Sequence, residues 1–236
     1  MIKFSIILNS RKRTELLTAC LESIKNTTSN IDEIEAQISC DEDDTETLNW
    51  VFEYGSKYKF AFFEFIPRDR RLFVRFDNIV KKVTTPYILI LNDDAEILTK
   101  NWDNIAFNLL ENSYKDGVVY GRTICNSVDK QKGAEYSSFP IISKKACDVV
   151  GYFMNPEIVG LGNDVHIWRI YNEVNRIIDL PINIRHTLHE TVDKVVNCDL
   201  TAAEMREFTY QHTFNHWDKD ISKEVQKLKD YIINNA

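Results

Sequence analysis

The 236-residue chain is poor in the two residues that break regular structure, with seven glycines and five prolines. That scarcity excludes collagen-like and low-complexity organisation, and neither an internal repeat nor an obvious linker is present. No glycine-rich turn follows the first apolar segment, Phe4 to Leu8, so a dinucleotide fingerprint and a Walker-type lysine loop are both missing there. The five cysteines (Cys20, Cys40, Cys125, Cys147 and Cys198) are scattered without a close pair. This is the pattern of reduced thiols in a cytosolic protein, not of a disulfide framework or a zinc site. No segment approaches the roughly 20 apolar residues of a spanning helix. Met1 to Leu8 has no cleavage site behind it and reads as a core strand, not a signal peptide. A basic excess is missing too: 29 Lys and Arg face 36 Asp and Glu, and the net charge of −7 disfavours non-specific binding to nucleic acid or anionic membrane. The expectation is a soluble, cytoplasmic protein.

What is present is an alternation of short apolar strands and amphipathic helices. Phe4 to Leu8 is a strand, followed by the loop Asn9-Ser10-Arg11-Lys12-Arg13. Leu16, Leu17, Cys20, Leu21 and Ile24 then recur at helical spacing. Glu35 to Cys40 suits a second strand and runs into Asp41-Glu42-Asp43-Asp44; Thr45 is placed to cap a helix with the stripe Leu48, Val51 and Phe52, and Asp43 and Asp44 lie in solvent or cap that helix instead. Phe60 to Ile66 reads as a third strand, with Arg68, Arg70 and Arg71 after it, and Leu72 to Val83 carries another helical stripe. The fourth strand starts at Tyr87. Three strand–helix units and a fourth strand describe an α/β fold with a mostly parallel central sheet flanked by helices, binding ligands at the carboxyl ends of its strands. Further on, Val118 to Ile124 reads as a strand, Lys144 to Val150 as a short helix, Val165 to Tyr171 as a helix, and Arg176 to Leu180 and Ile182 to His189 as two short strands. Glu204 to Trp217 and Ser222 to Ile233 are expected helices. The boundaries expected are a catalytic domain over residues 1–200 and a helical extension over 201–236, packed on it.

The strand Tyr87-Ile88-Leu89-Ile90-Leu91 stops abruptly at Asn92-Asp93-Asp94. Adjacent carboxylates at the end of a buried strand repel and lose solvation unless something compensates them. A divalent cation with a preference for oxygen ligands, Mg²⁺ or Mn²⁺, would do so; an exposed acidic turn is the plain alternative.

The order of these motifs resembles the GT-A glycosyltransferases, in particular the inverting enzymes of family 2, over residues 3 to 190. Ile7 to Leu17 is similar to the family's opening strand, basic loop and helix, with Asn9 in place of the usual proline. Asn92-Asp93-Asp94 stands where the family has its Asp-any-Asp metal motif, with Asn in the first position. Gly151-Tyr152-Phe153 followed by Gly160-Leu161-Gly162-Asn163-Asp164 resembles the acceptor-side loop and the helix that bears the catalytic base. The resemblance implies a GT-A fold and transfer of a sugar from a nucleotide-diphosphate donor, UDP-sugar favoured, to an acceptor hydroxyl. It implies Asp94 as metal ligand, with His189, or alternatively His186, completing the site for Mn²⁺ or Mg²⁺. Asp164 would be the general base, for which capping of the helix by Asn163 or Asp164 is the alternative. Asp41 would meet the nucleobase, Asp93 the ribose or sugar, and Arg11, Arg13, Arg68 and Arg71 the diphosphate. Asn9, Asn92 and Asn78 (with its neighbour Asp77) complete the expected donor-binding set.

Other readings keep the fold and change the chemistry: a retaining transferase, a sugar-nucleotidyltransferase, or a non-catalytic sugar-nucleotide-binding protein. The acceptor expected by analogy is a glycan or lipid-linked sugar, and less so a modified DNA base, against which the acidic charge counts. Tyr136, Phe139, Tyr152, Phe153 and Trp168 offer aromatic faces to a sugar or to the core.

Overall fold

The computed structural model describes residues 1–68, 72–125, 135–158, 162–187 and 219–235. In chain order the elements are β1 (Phe4–Ser10), α1 (Thr14–Thr27), β2 (Ile34–Asp41), α2 (Thr45–Tyr54), β3 (Ala61–Ile66), α3 (Leu72–Val80), β4 (Tyr87–Ile90), β5 (Ala95–Ile97), α4 (Trp102–Glu111), β6 (Tyr120–Cys125), β7 (Ile141–Ser143), α5 (Lys144–Val150), α6 (Asn163–Glu173), β8 (Ile177–His186) and α7 (Ser222–Asn235). The eight strands form one sheet in the order β3-β2-β1-β4-β7-β6-β8-β5. The β3-β2-β1-β4 half is parallel throughout, and β6 runs parallel to β8. Antiparallel pairing enters at β4–β7, β7–β6 and β8–β5.

Both faces of the sheet are covered, which is why its central strands are nearly continuous apolar runs. Phe4, Ile6, Leu8, Ile38, Leu89 and Val119 point to one face, where α1 and α4 bury Leu17, Leu21, Trp102 and Ala106. Ile7, Ile88, Ile90, Tyr120 and Ile142 point to the other and meet α3, α5, α6 and α7 through Phe76, Cys147, Ile170 and Leu228. Thus α7, the described part of the C-terminal extension, packs on the sheet's second layer. Residues 188–218, and with them the helix expected from Glu204 to Trp217, lie outside the described residues.

Three local expectations are corrected. Thr45 does not cap α2: Asp44, one of the alternatives, does, its Oδ1 accepting from the Thr47 N–H at 3.1 Å. The stripe assigned to α2 is not its buried face. Leu48 is 44% and Phe52 93% exposed, while Trp50 stacks on Tyr58 and meets Phe63 edge-on. Finally, Pro181 does not divide two strands. It lies inside β8, which runs unbroken from Ile177 to His186, and the β6–β8 register shifts between Arg122 and Ile124 so that no ladder bond is asked of the missing N–H.

Candidate functional site

The carboxyl ends of β1, β2 and β4 lie side by side, since Asn9 is in register with Ser39 and Ile7 with Ile90. The loop after β1 is held in a tight turn. Lys12 has a left-handed backbone (φ 52°), and its N–H donates to Asp44 Oδ2 at 2.8 Å, which ties this loop to the start of α2. Arg11 and Arg13 are thereby sent to different partners. Arg11 reaches Asp41 at 2.9 Å and Asp43 at 2.5 Å. The hydrogen bond from Arg11 holds the exposed Asp43 carboxyl below the usual range. The Asp41 carboxylate also accepts from Arg75 of α3, whose guanidinium donates in addition to the Pro67 carbonyl at 3.2 Å. Asp41 therefore sits, buried, between two guanidinium groups.

Arg13 serves Asp93. Its Nε and terminal nitrogen lie 3.1 and 2.5 Å from the two carboxylate oxygens, and Ser10 Oγ donates to one of them at 2.9 Å. Asp93 is fully buried, and burial pushes its carboxyl up to about 6, even against the attraction of Arg13. Asp94, next in the chain, faces β8: His186 Nε2 is 3.2 Å from its Oδ2. Burial works against the Asp94 charge, but the bond and charge of His186 outweigh it and leave the carboxyl below its ordinary range. The Thr187 N–H donates to the Asp94 carbonyl at 2.9 Å, and Asn92 Nδ2 lies 3.4 Å from the same His186 nitrogen. The end of β4 is thus stitched to the end of β8, and the histidine that meets Asp94 among the described residues is His186. His189 lies outside them, as does Arg71.

Several buried polar atoms at this edge have no hydrogen-bond partner among the described residues: both amide atoms of Asn9, Ser39 Oγ, Arg75 Nε and Asp94 Oδ1. Buried polar groups are otherwise satisfied as a rule, so these orphans single out this edge as a candidate ligand site. The Asp94 carboxylate oxygen and the His186 imidazole also suit a divalent cation, and Mn²⁺ accepts that oxygen–nitrogen pair. Among the described residues no group of three or more His, Cys, Asp or Glu surrounds a common point. Among the described residues a metal here would find two protein ligands, Asp94 and His186.

Asp164 stands half-buried in the first turn of α6, with its Oδ1 accepting from the Val165 N–H at 2.9 Å. Gly162 takes the N-cap position with φ 99°, so the start of this helix needs glycine and no side chain caps it. Asn163 turns back instead, pairing twice with the Asn155 backbone at 2.9 and 3.0 Å. His166, fully buried, has Nε2 3.0 Å from the Tyr152 hydroxyl and 3.3 Å from Asn155 Nδ2. This network fastens the 152–158 segment to the helix that carries Asp164.

Not every expected residue joins the site. Asn78 is on the exposed face of α3 and is not brought to the cluster; its neighbour Asp77 is buried and accepts from the Phe153 N–H at 3.1 Å, bracing the 152–158 segment. Arg68, by contrast, is exposed at the end of β3 yet near enough for its charge to help lower the Asp43 carboxyl. The pattern reading missed Arg75 and His166. Each occupies an apolar-stripe position, Arg75 between Leu72 and Phe76 and His166 between Asn163 and Ile170, and a polar residue on a buried stripe is the signal that could have found them.

The family model for glycosyl transferase family 2 matches residues 5–160, about two thirds of the chain, and ends just short of Asp164. No curated protein matches in sequence. Solved structures of similar fold include TarS of S. aureus, residues 1–349 in complex with UDP, at 14% identity and TM-score 0.63 over 94% of this chain and 73% of that one. Against a longer TarS structure the chain spans 45% of the length. The mannosyltransferase PcManGT of Pyrobaculum calidifontis, in complex with GDP-Man and Mn²⁺, is 11% identical with TM-score 0.65, covering 97% of this chain and 69% of that one. GalNAc-T7 with UDP, GalNAc and Mn²⁺ is 9% identical with TM-score 0.66, covering 98% and 55%. With the α/β architecture and the family match over most of the sheet, the chain belongs to glycosyl transferase family 2 and is a glycosyltransferase with a GT-A fold.

Proposed function

We propose that this glycosyltransferase is metal-dependent and inverting, moves a sugar from a nucleotide-diphosphate donor, UDP-sugar first, and uses Asp164 as general base. The observation that carries the reading is the Asp94 carboxylate, buried, with one oxygen at His186 and the other without a hydrogen-bond partner among the described residues. Asp94 and His186 would hold Mn²⁺ or Mg²⁺, which when bound neutralises the diphosphate leaving group as a Lewis acid. Asp93 and Arg13 form a fixed pair behind that site: with its charge engaged, Asp93 orients without competing for the metal. Asn9 and Ser39 supply a donor–acceptor amide and a hydroxyl for a nucleobase edge or ribose, beside the Asp41–Arg75 pair. Arg11, held by Asp41 and Asp43, carries the guanidinium assigned to the diphosphate. Asp164 takes the acceptor hydroxyl's proton; the positive end of α6 favours the ionised form that a base needs. UDP is named first because two similar structures hold it, and GDP is the competing base because PcManGT holds GDP-Man.

A thermal-shift titration with UDP and GDP, each with and without Mn²⁺, tests the donor reading, because a ligand that binds only the folded state raises Tm. The expected result is a rise that requires Mn²⁺ and that Asp94→Ala abolishes. A metal-independent rise of equal size in both proteins refutes the metal site. Asp164→Asn is expected to lose at least a hundredfold in turnover while keeping the UDP-induced rise, the lower end of what general-base catalysis contributes. Unchanged turnover in that variant removes Asp164 from the chemistry.

A further inference from the structure

Away from the strand ends that carry Asp94 and Asp41, a cavity of about 220 Å³ opens between α6 and the outer face of β6 and β8, lined by Arg122, Glu135, Trp168, Asn172, Ile177 and Asp179. His186 lies at the far end of β8 from Ile177, so at the rise of a strand the two are roughly 30 Å apart. The floor is a fixed ion pair: Arg122 Nε donates to Asp179 Oδ1 at 2.6 Å and its terminal nitrogen to the Glu135 carbonyl at 2.7 Å. Over this floor stand an indole and a carboxamide on α6. Among the described residues the Trp168 N–H, the Asn172 amide and the Glu135 carboxylate make no hydrogen bond, and Asp179 keeps its second oxygen open.

This set of groups selects its ligand by chemistry. One guanidinium against two carboxylates leaves the cavity net negative, which repels phosphate, nucleotide and acidic glycan. Carboxylate and amide present paired planar acceptors and donors at the spacing of neighbouring hydroxyls, and an indole face offers an apolar platform to ring C–H groups. The cavity is of a size for a single pyranose ring. Its place on the helix adds a direction. Asp164, Trp168 and Asn172 follow one another at i, i+4 and i+8, so they lie on one stripe of α6, with Trp168 about 6 Å and Asn172 about 12 Å along the axis from the candidate base.

We propose that this cavity is a saccharide subsite that holds a neutral sugar of an oligosaccharide acceptor, removed along α6 from the hydroxyl that reacts at Asp164. The acceptor assignment rests on the transferase reading above; binding of a neutral sugar rests on the cavity alone. The subsite sets acceptor length: a monosaccharide reaches only Asp164, whereas a longer neutral chain extends past Trp168 to the Arg122–Asp179 floor.

The four tryptophans each give one indole N–H signal in a ¹H–¹⁵N spectrum, and Trp168→Phe identifies the signal of Trp168. The uniformly labelled protein is titrated with neutral tetrasaccharides (malto-, cello-, chito- and mannotetraose), with inorganic phosphate, and with UDP plus Mn²⁺. The expected result is a saturable shift of the Trp168 signal with at least one tetrasaccharide, none with phosphate, and at least tenfold weaker binding in the Asn172→Ala/Asp179→Ala protein, whose two altered side chains are exposed. If no tetrasaccharide moves the Trp168 signal, if the double variant binds as well as the parent, or if phosphate competes, the proposal is overturned. The UDP titration reads the donor site separately. A Trp168 response without a UDP response sinks the donor reading and leaves the saccharide subsite standing; the reverse outcome does the opposite.

Discussion

Asp93 and Asp94 are chemically identical neighbours on one strand end, yet they occupy opposite electrostatic situations. Asp93 is wrapped by Arg13 and Ser10, and Asp94 is left with one oxygen on His186 and the other without a partner among the described residues. A buried ion pair is costly to break because the surviving charge loses its compensation. Arg13→Met is therefore expected to destabilise the fold by about 3 kcal/mol, near the low end for a broken buried pair because the Arg13 side chain is 27% exposed. Urea denaturation checks it, and Arg13→Met/Asp93→Asn should recover part of the loss by removing the stranded charge. Equal losses in the single and double variants would mean that Arg13 acts through packing. The Asn-Asp-Asp stretch itself was legible in the sequence, because an apolar strand that stops at carboxylates is an unusual local pattern. The division of labour between the two aspartates was not, since it depends on which of them meets Arg13, 80 residues earlier, and which meets His186, 92 residues later.

Elements are shaped by contacts of this same distant kind. Asp44 ends the acidic run after β2, and its carboxylate accepts from the Thr47 N–H and hydroxyl at the head of α2 and from the Lys12 N–H in the loop after β1. One side chain thus caps a helix and sets the turn that separates Arg11 from Arg13. Asp44→Ala is expected to lower stability by about 2 kcal/mol, the upper range for a lost N-cap, because three donors lose their acceptor. It should also weaken UDP binding in calorimetry, since the Arg11 loop loses its anchor. Asp44→Asn, which keeps an acceptor for the cap, should restore most of the stability; failure to do so would point to the charge and not the cap. Run-and-gap reading placed β1, α5 and α6 closely. It misplaced the face of α2, where Phe52 is exposed, because this 10-residue helix at the sheet edge buries Thr47 and turns Trp50 to Tyr58 and Phe63. It also cut β8 at Pro181, because a proline is compatible with a strand only when the neighbouring ladder shifts to accommodate it, and the ladder partner β6 lies some 60 residues away.

At the scale of the whole molecule, the two-faced burial of the sheet governs the thiols. Cys20, Cys40, Cys125 and Cys147 are all buried, spread over both hydrophobic layers and the strand between them. Burial, reinforced at Cys20 by the charges of Asp93 and Asp94, raises the Cys20 and Cys147 thiols well above their ordinary range, and Cys40 is pushed up to about 12. A thiol that neither ionises nor meets solvent is inert. In native protein at pH 8, a chromogenic disulfide reagent should therefore react promptly with at most one of the five cysteines, Cys198, and with all five after denaturation. Fast reaction of two or more native thiols would contradict the packing described. Among the described residues no helix is long and apolar enough to cross a membrane.

The sequence by itself determined what depends on neighbours in the chain: the period of the apolar residues, hence the strand–helix alternation, and the order of polar motifs at the strand ends that marks the family. These are legible because side-chain direction follows from backbone geometry within a few residues. Only the tertiary structure decided which charges pair. It gave Asp41 to Arg11 and Arg75, Asp93 to Arg13, and Asp94 to His186, and it left Asn78 in solvent. The strand end that opens at Asn92-Asp93-Asp94 becomes a candidate site because β1 and β8, far apart in the chain, close on it from either side.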